Sequence, residues 1–175
     1  MNKRNMFVFA VLFPLLILLA MAVKPLTTML YGQDILLQTR AVDPNDLFRG
    51  DYVSLAYKIS DVPKEMLPDS VKNPTEKPLK NLTLYVSLKP EGRFYVIDTI
   101  SENKPKDGIY LKGLVRYYDY YNMPGTVFIE YTLDKYFVKQ GSGIKLQEQS
   151  QKGELIGKAR VLNGYAILTD IQETD

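Results

Sequence analysis

Apolar and polar positions alternate through most of this chain, but not at its start. Residues 7–23, FVFAVLFPLLILLAMAV, form an unbroken apolar run with no charge and no strongly polar group. From residue 33 onward apolar and polar positions take turns, the period of two that marks half-buried strands. Ile35, Leu37, Thr39 and Ala41 share one side of the first such stretch. Val53, Leu55, Tyr57 and Ile59 share a face of the strongest one, with Tyr52, Ser54, Ala56 and Lys58 on the other. Leu82, Leu84, Val86 and Leu88 point inward along a third.

Turn chemistry separates these runs. Lys89-Pro90-Glu91-Gly92 reads as a hairpin turn with Pro second and Gly fourth, and residues 93–100 return as its partner strand. Residues 109–121 and 126–131 form another pair around Asn122-Met123-Pro124-Gly125. Asn163-Gly164 between two apolar runs is the strongest hairpin signal, because both turn positions must tolerate positive φ. Residues 61–80, with Pro63, Pro68, Pro74 and Pro78 among many charges, read as a long surface loop with a helical turn near residues 63–67. Residues 133–140 and 142–153 read as short helices. About eight mostly antiparallel strands follow from these runs. The expected fold class is mainly β: a single antiparallel β-barrel or sandwich-like domain with one or two short helices, behind an N-terminal transmembrane helix.

As a helix, residues 7–23 rise ~26 Å at 1.5 Å per residue, against roughly 30 Å of hydrocarbon. Lys24 can snorkel at the far end, and Pro14 is tolerated in a membrane helix. Lys3 and Arg4 precede the run, so the positive-inside tendency holds residues 1–6 in the cytoplasm. The expected organisation is a span over residues 7–28, with residues 25–32 leading out as a short stem, and a β-rich domain over residues 29–175 outside the cytoplasm. The expected location is the cell membrane. The small-x-small pattern Ala20-Met21-Ala22 would also suit cleavage of a signal peptide, but the apolar run exceeds the usual roughly 7–15 residues of such a segment, which favours retention.

Composition narrows the chemistry. The chain has no Cys and no His, which removes disulfides, thiolate nucleophiles and the commonest general base near neutral pH. With Lys3 and Arg4 set aside, its 22 basic residues fall to 20, equal to its 20 acidic ones. A neutral external domain has no excess charge to drive nucleic-acid binding or attraction to anionic lipid. No cofactor is expected.

Residues 49–57, RGDYVSLAY, hold the densest candidate motif: Arg49, Gly50, Asp51, Tyr52, Leu55 and Tyr57. Leu55 and Tyr57 lie on the inward face, Gly50 supplies an unusual backbone angle entering the strand, and Asp51 can accept backbone N–H bonds. Each fixed position therefore has a structural role available beside any binding role. A Ser/Lys catalytic pair needs neither His nor Cys, but Ser54 and Lys58 are ~13 Å apart along one strand at ~3.3 Å per residue. Asp43, Asp46 and Asp51 could gather around a hard cation, although their spacing matches no calcium loop. Tyr117, Tyr118, Tyr120 and Tyr121 cluster at a hairpin end, either as cross-strand packing or as an amphipathic patch for a partner.

Gly50-Asp51-Tyr52, Leu55 and Tyr57 match all five fixed positions of the GDYXXLXY motif, and the chain resembles that family of bacterial membrane-anchored proteins. Its lead-in VDPNDLFRG resembles the family's, with Asn45 in place of the usual Arg and Ala41-Val42 in place of Pro-Val. Tyr136, Phe137, Val138, Gly141 and Gly143 fit a second family segment, in which Thr132, Lys139 and Gln140 depart from the common Gly, Pro and Glu. The resemblance implies a membrane-anchored domain, often encoded beside a multi-pass membrane protein, and brings no activity with it. The expected function is thus an accessory or interaction module held in the bilayer by residues 7–28. The alternative is an envelope Ser/Lys hydrolase loosely related to signal peptidases, with Ser54 as its nucleophile.

Overall fold

The computed structural model describes residues 3–41, 52–72, 79–118, 125–138 and 143–174. It is mainly β, with curled antiparallel sheets behind one long apolar helix.

Helix α1 (Lys3–Tyr31) is 29 residues long, with Pro14 and Pro25 inside it. Its segment Met6–Tyr31 is long and apolar enough to cross a membrane, and the domain buries none of its most apolar stretch. The stem expected over residues 25–32 is instead helix to Tyr31. Pro25 removes one backbone donor, but nearby Thr27 and Thr28 hydroxyls bond back to the Val23 and Lys24 carbonyls, and Gly32 N–H closes the last turn on Thr28 O at 2.9 Å.

The strands are β1 (Gln33–Arg40), β2 (Tyr52–Ser54), β3 (Ala56–Tyr57), β4 (Asp61–Pro63), β5 (Leu79–Glu91), β6 (Phe94–Ser101), β7 (Ile109–Tyr118), β8 (Thr126–Phe128), β9 (Lys135–Phe137), β10 (Leu155–Leu162) and β11 (Tyr165–Glu173). The short helices are α2 (Asp69–Lys72) and α3 (Gly143–Lys152), and single 3₁₀ turns occupy Lys58–Ser60 and Lys64–Met66. Three readings change. Residues 61–63 are strand rather than loop, and residues 135–137 are strand rather than helix. In both cases the cross-strand partner, absent from any local window, decides the state. The β5–β6 turn is Gly92-Arg93, because Pro90 pairs with Tyr95 inside the ladder and Gly92 takes φ of 60°. The Asn163-Gly164 hairpin forms as expected, with φ of 51° and 78°.

The segments 52–63 and 126–137 form one ribbon. Tyr52 faces Phe137 at one end and Pro63 faces Thr126 at the other, in an unchanged register. Tyr57 and Ala56 also pair with β1, and Leu114 of β7 bonds reciprocally with Glu130 at 2.9 Å. The β10–β11 turn returns to β7 through Lys112 N–H to Gly164 O at 2.9 Å. Backbone bonds therefore run round a circuit of β1, the ribbon, β7 and the β10–β11 hairpin, with β5 and β6 extending from β7. Ile35, Leu37, Val53, Leu84, Val86, Leu111, Ile129, Leu133 and Leu155 fill its inside.

The end of α1 is fixed to this body. Thr28 is buried, and the Lys24 ammonium lies 4.4 Å from the Tyr165 ring centroid. Arg160 bonds the Met29 carbonyl near the helix C-terminus, where a cation is favoured, and pairs with Asp34 at 2.7 Å. That guanidinium, with Lys158 beside it, holds the Asp34 carboxyl below the ordinary range.

Candidate functional site

The ribbon is where the motif lies. Its ladder bonds stop after Leu55 N–H to Asp134 O at 2.8 Å and resume at Ile129 N–H to Ser60 O at 2.8 Å. Inside the gap two buried phenols satisfy carbonyls of the opposite segment. Tyr57 donates to Leu133 O at 2.9 Å, and Tyr131 donates to Ile59 O at 3.0 Å. Burial pushes both phenols well above their ordinary pKa range, and the Asp134 carboxylate adds to the rise at Tyr57. Both remain protonated donors, which is the state a buried carbonyl requires.

A glycine stands behind each ring. A Cβ at Gly157 would stand 2.7 Å from Tyr57 Cε1 and 2.9 Å from its hydroxyl, and one at Gly113 would collide with Ile129 Cγ2 and stand 3.1 Å from Tyr131 Cε1. Leu55 and Tyr57 are core residues, while Tyr52 is half-buried on the opposite face, as the alternation indicated. Arg49, Gly50 and Asp51 lie outside the described residues, as do Asp43 and Asp46 of the carboxylate cluster. Tyr120 and Tyr121 also lie outside them, and Tyr117 and Tyr118 end β7, opposite Lys80 and Leu79.

Beside the gap lies a cleft of about 650 Å³. Tyr52, Leu55 and Tyr57 reach it from the motif strand, and Arg116, Phe128, Glu130, Asp134 and Lys135 reach it from β7 and the opposite segment. Its charges are mostly matched: Arg40 pairs with Asp61 at 2.5 Å, and Arg116 Nε reaches both Glu130 oxygens at 2.7 Å. Aromatics stand beside them. Phe137 is 76% exposed and meets Tyr52 edge-on at 6.1 Å, Phe128 is 47% exposed under Arg40, and Lys135 sits over Tyr52 at 5.2 Å.

A second cleft, of about 510 Å³, shares Arg116, Glu130, Tyr131 and Asp134 with the first and extends to Lys24 and Tyr165 at the end of α1. The two clefts flank one wall, so the four shared residues stand between the cleft at the end of α1 and the cleft at the motif.

Chemistry within the clefts is sparse. Lys58 bonds Gln38 at 3.1 Å at the surface. The lysine facing Ser54 is instead Lys135, its register partner, which reading residues 133–140 as a helix had concealed. Lys135 is exposed, and no lysine whose side chain is described is buried. A general-base lysine needs desolvation or a neighbouring cation to surrender its proton, and Lys135 stands in water. Among the described residues no group of three or more Asp or Glu side chains is placed to hold a metal ion.

Arg40, Phe128, Glu130, Asp134 and Phe137 are site residues that sequence reading passed over. A family model described as GDYXXLXY protein matches residues 14–171. Neither the curated proteins nor the solved structures contain a match to the chain.

Proposed function

We propose, from the premise that this chain belongs to the GDYXXLXY family, that it is a single-pass membrane protein of the bacterial cell envelope, whose β-domain acts outside the cytoplasm as an accessory module docking on an integral membrane protein. The observation that carries this reading is the pair of neighbouring clefts. One is lined by Lys24 and Tyr165 at the end of α1, and the other by Tyr52 and Phe128, with the exposed Phe137 ring edge-on to Tyr52. Exposed aromatics beside arginines are the residue types that dominate protein interfaces. A partner spanning the bilayer next to α1 would present its external loops at this height.

Lys3 and Arg4 before the span support the orientation. A reporter active only outside the cytoplasm, fused after Asp175, should be active. Activity of a cytoplasmic reporter at the same place would reverse the orientation.

The docking reading is tested by capture. Phe137→Ala removes an exposed ring, and Tyr52→Phe removes one hydroxyl at the cleft. Both should weaken co-purification of the membrane partner while melting temperature stays within a few degrees of the parent. Leu55→Ala should lose partner only in parallel with folding, through a core deletion worth about 2–5 kcal/mol. Undiminished capture by the Phe137→Ala, Tyr52→Phe double variant would remove the cleft from the interface. Ser54→Ala leaves docking intact on this reading, whereas a Ser/Lys hydrolase would lose all turnover.

A further inference from the structure

Helix α1 is longer than a hydrocarbon layer requires. Its apolar segment Met6–Tyr31 has 26 residues. That is about 39 Å of helix, against roughly 30 Å of hydrocarbon and roughly 40–45 Å with both headgroup layers included. The last turns carry Leu26, Leu30 and Tyr31, all more than half exposed. With the uncharged run of residues 7–23, ~26 Å of helix, set in the hydrocarbon, these turns stand at headgroup height. They are held against the β-domain through Thr28, Arg160 and the Lys24–Tyr165 contact, so the parts of the domain beside them share that height.

Two segments meet this condition. The β5–β6 hairpin tip is one: the Gln33 amide, two residues beyond α1, donates to the Tyr95 hydroxyl at 3.3 Å. Its turn residue Arg93 is exposed and lies 4.9 Å from the Phe94 ring centroid. The loop over residues 104–108 is the other, forming with Tyr31 and Gln33 the wall of a pocket of about 400 Å³. Lys104 and Lys106 of that loop are exposed and make no ion pair among the described residues, with Asp107 the acid beside them. Elsewhere cations such as Arg40, Lys89, Arg116 and Arg160 are matched by carboxylates. Mixed aromatic and cationic residues at the end of an apolar helix are the composition of a membrane–water interface.

We propose that this base of the β-domain rests in the lipid headgroup layer, with Arg93, Lys104 and Lys106 on lipid phosphates. The proposal rests on α1 spanning the bilayer. The domain then stands on the membrane as a seated body rather than hanging from a flexible tether. Its opposite end lies along β1, eight residues away from the helix, near Gly153 and Lys152, about 26 Å along the strand at ~3.3 Å per residue.

The absence of native cysteine makes the test direct. The full chain is reconstituted in phosphatidylcholine–phosphatidylglycerol vesicles with one fluorophore-labelled cysteine at a time: Glu91→Cys at the hairpin, Pro105→Cys in the loop, Lys152→Cys at the far end, Val11→Cys in α1. Headgroup-attached quenchers should dim the probes at 91 and 105 several-fold more than the probe at 152, and Arg93→Glu with Lys104→Glu and Lys106→Glu should abolish most of that difference. Equal quenching at 91, 105 and 152, with the probe at 11 quenched by acyl-chain labels, overturns the seating while leaving the span in place. A probe at 11 that acyl-chain labels do not reach overturns both. Quenching at 91 and 105 unchanged by the charge reversals overturns the phosphate contacts.

Discussion

Tyr57→Ala is expected to destabilise the β-domain by about 3–5 kcal/mol, the range for deleting a large buried aromatic, which is a large part of the roughly 5–15 kcal/mol that holds a domain folded. The ring is 2% exposed, packs against Gly157, and places its hydroxyl on Leu133 O inside the interrupted ribbon. Tyr57→Phe separates the parts. It keeps the ring and strands a buried carbonyl, at a cost of about 1–3 kcal/mol. Urea unfolding of the full chain in detergent, followed by the fluorescence of its 13 tyrosines, measures both. A phenylalanine variant as stable as the parent would show that the hydroxyl does not close the gap. An alanine variant with equal stability would sink the packing argument as well.

Gly157→Ala attacks the same contact from β10. Its methyl would sit 2.7 Å from a buried ring carbon and 2.9 Å from the hydroxyl, so the ring must move and the bond to Leu133 must loosen. Overpacking of this kind costs about 1–3 kcal/mol. The cause is tested by a cycle with Tyr57→Leu, whose shorter side chain vacates the clashing position. Gly157→Ala should cost much less in the leucine background than in the parent, a coupling that residues in contact show. Equal costs in both backgrounds would mean that the methyl disturbs β10 itself rather than the tyrosine.

These two residues also show why half of the site was legible and half was not. Tyr57 stood out through its fixed spacing to Tyr52 and Leu55, and its inward direction followed from alternation. Gly157 stood in a strand with nothing local to mark it, because its role exists only once β10 crosses behind the ring. Lys135 and Phe137 were hidden more thoroughly. Residues 133–140 have no clean period of two, and only pairing with Tyr52–Ser54 makes Lys135–Phe137 a strand. The stem read over residues 25–32 failed for a similar reason: Pro25 argues locally against helix, while the threonine hydroxyls and the docking of Thr28 against the domain carry α1 to Tyr31.

What the sequence determined by itself is local or compositional. An apolar run without charge has no other favourable environment than lipid or a protein core, so the helix at the start was readable from side chains alone. Alternation with a period of two exposes a strand's two faces, which is why Leu55, Tyr57, Leu84 and Val86 could be placed inside before any partner was known. Asn163-Gly164 specified its hairpin because few residues tolerate two successive positive φ values. Only the tertiary structure decided which strands meet. It brought 52–63 against 126–137 across more than sixty residues of chain, closed the circuit through Gly164, and set a cleft beside Lys24 against the wall of the cleft at the motif. Pairing of that kind is selected by the summed burial of both faces and by the carbonyls each side can satisfy, quantities that belong to the assembled sheet and to no single stretch of residues.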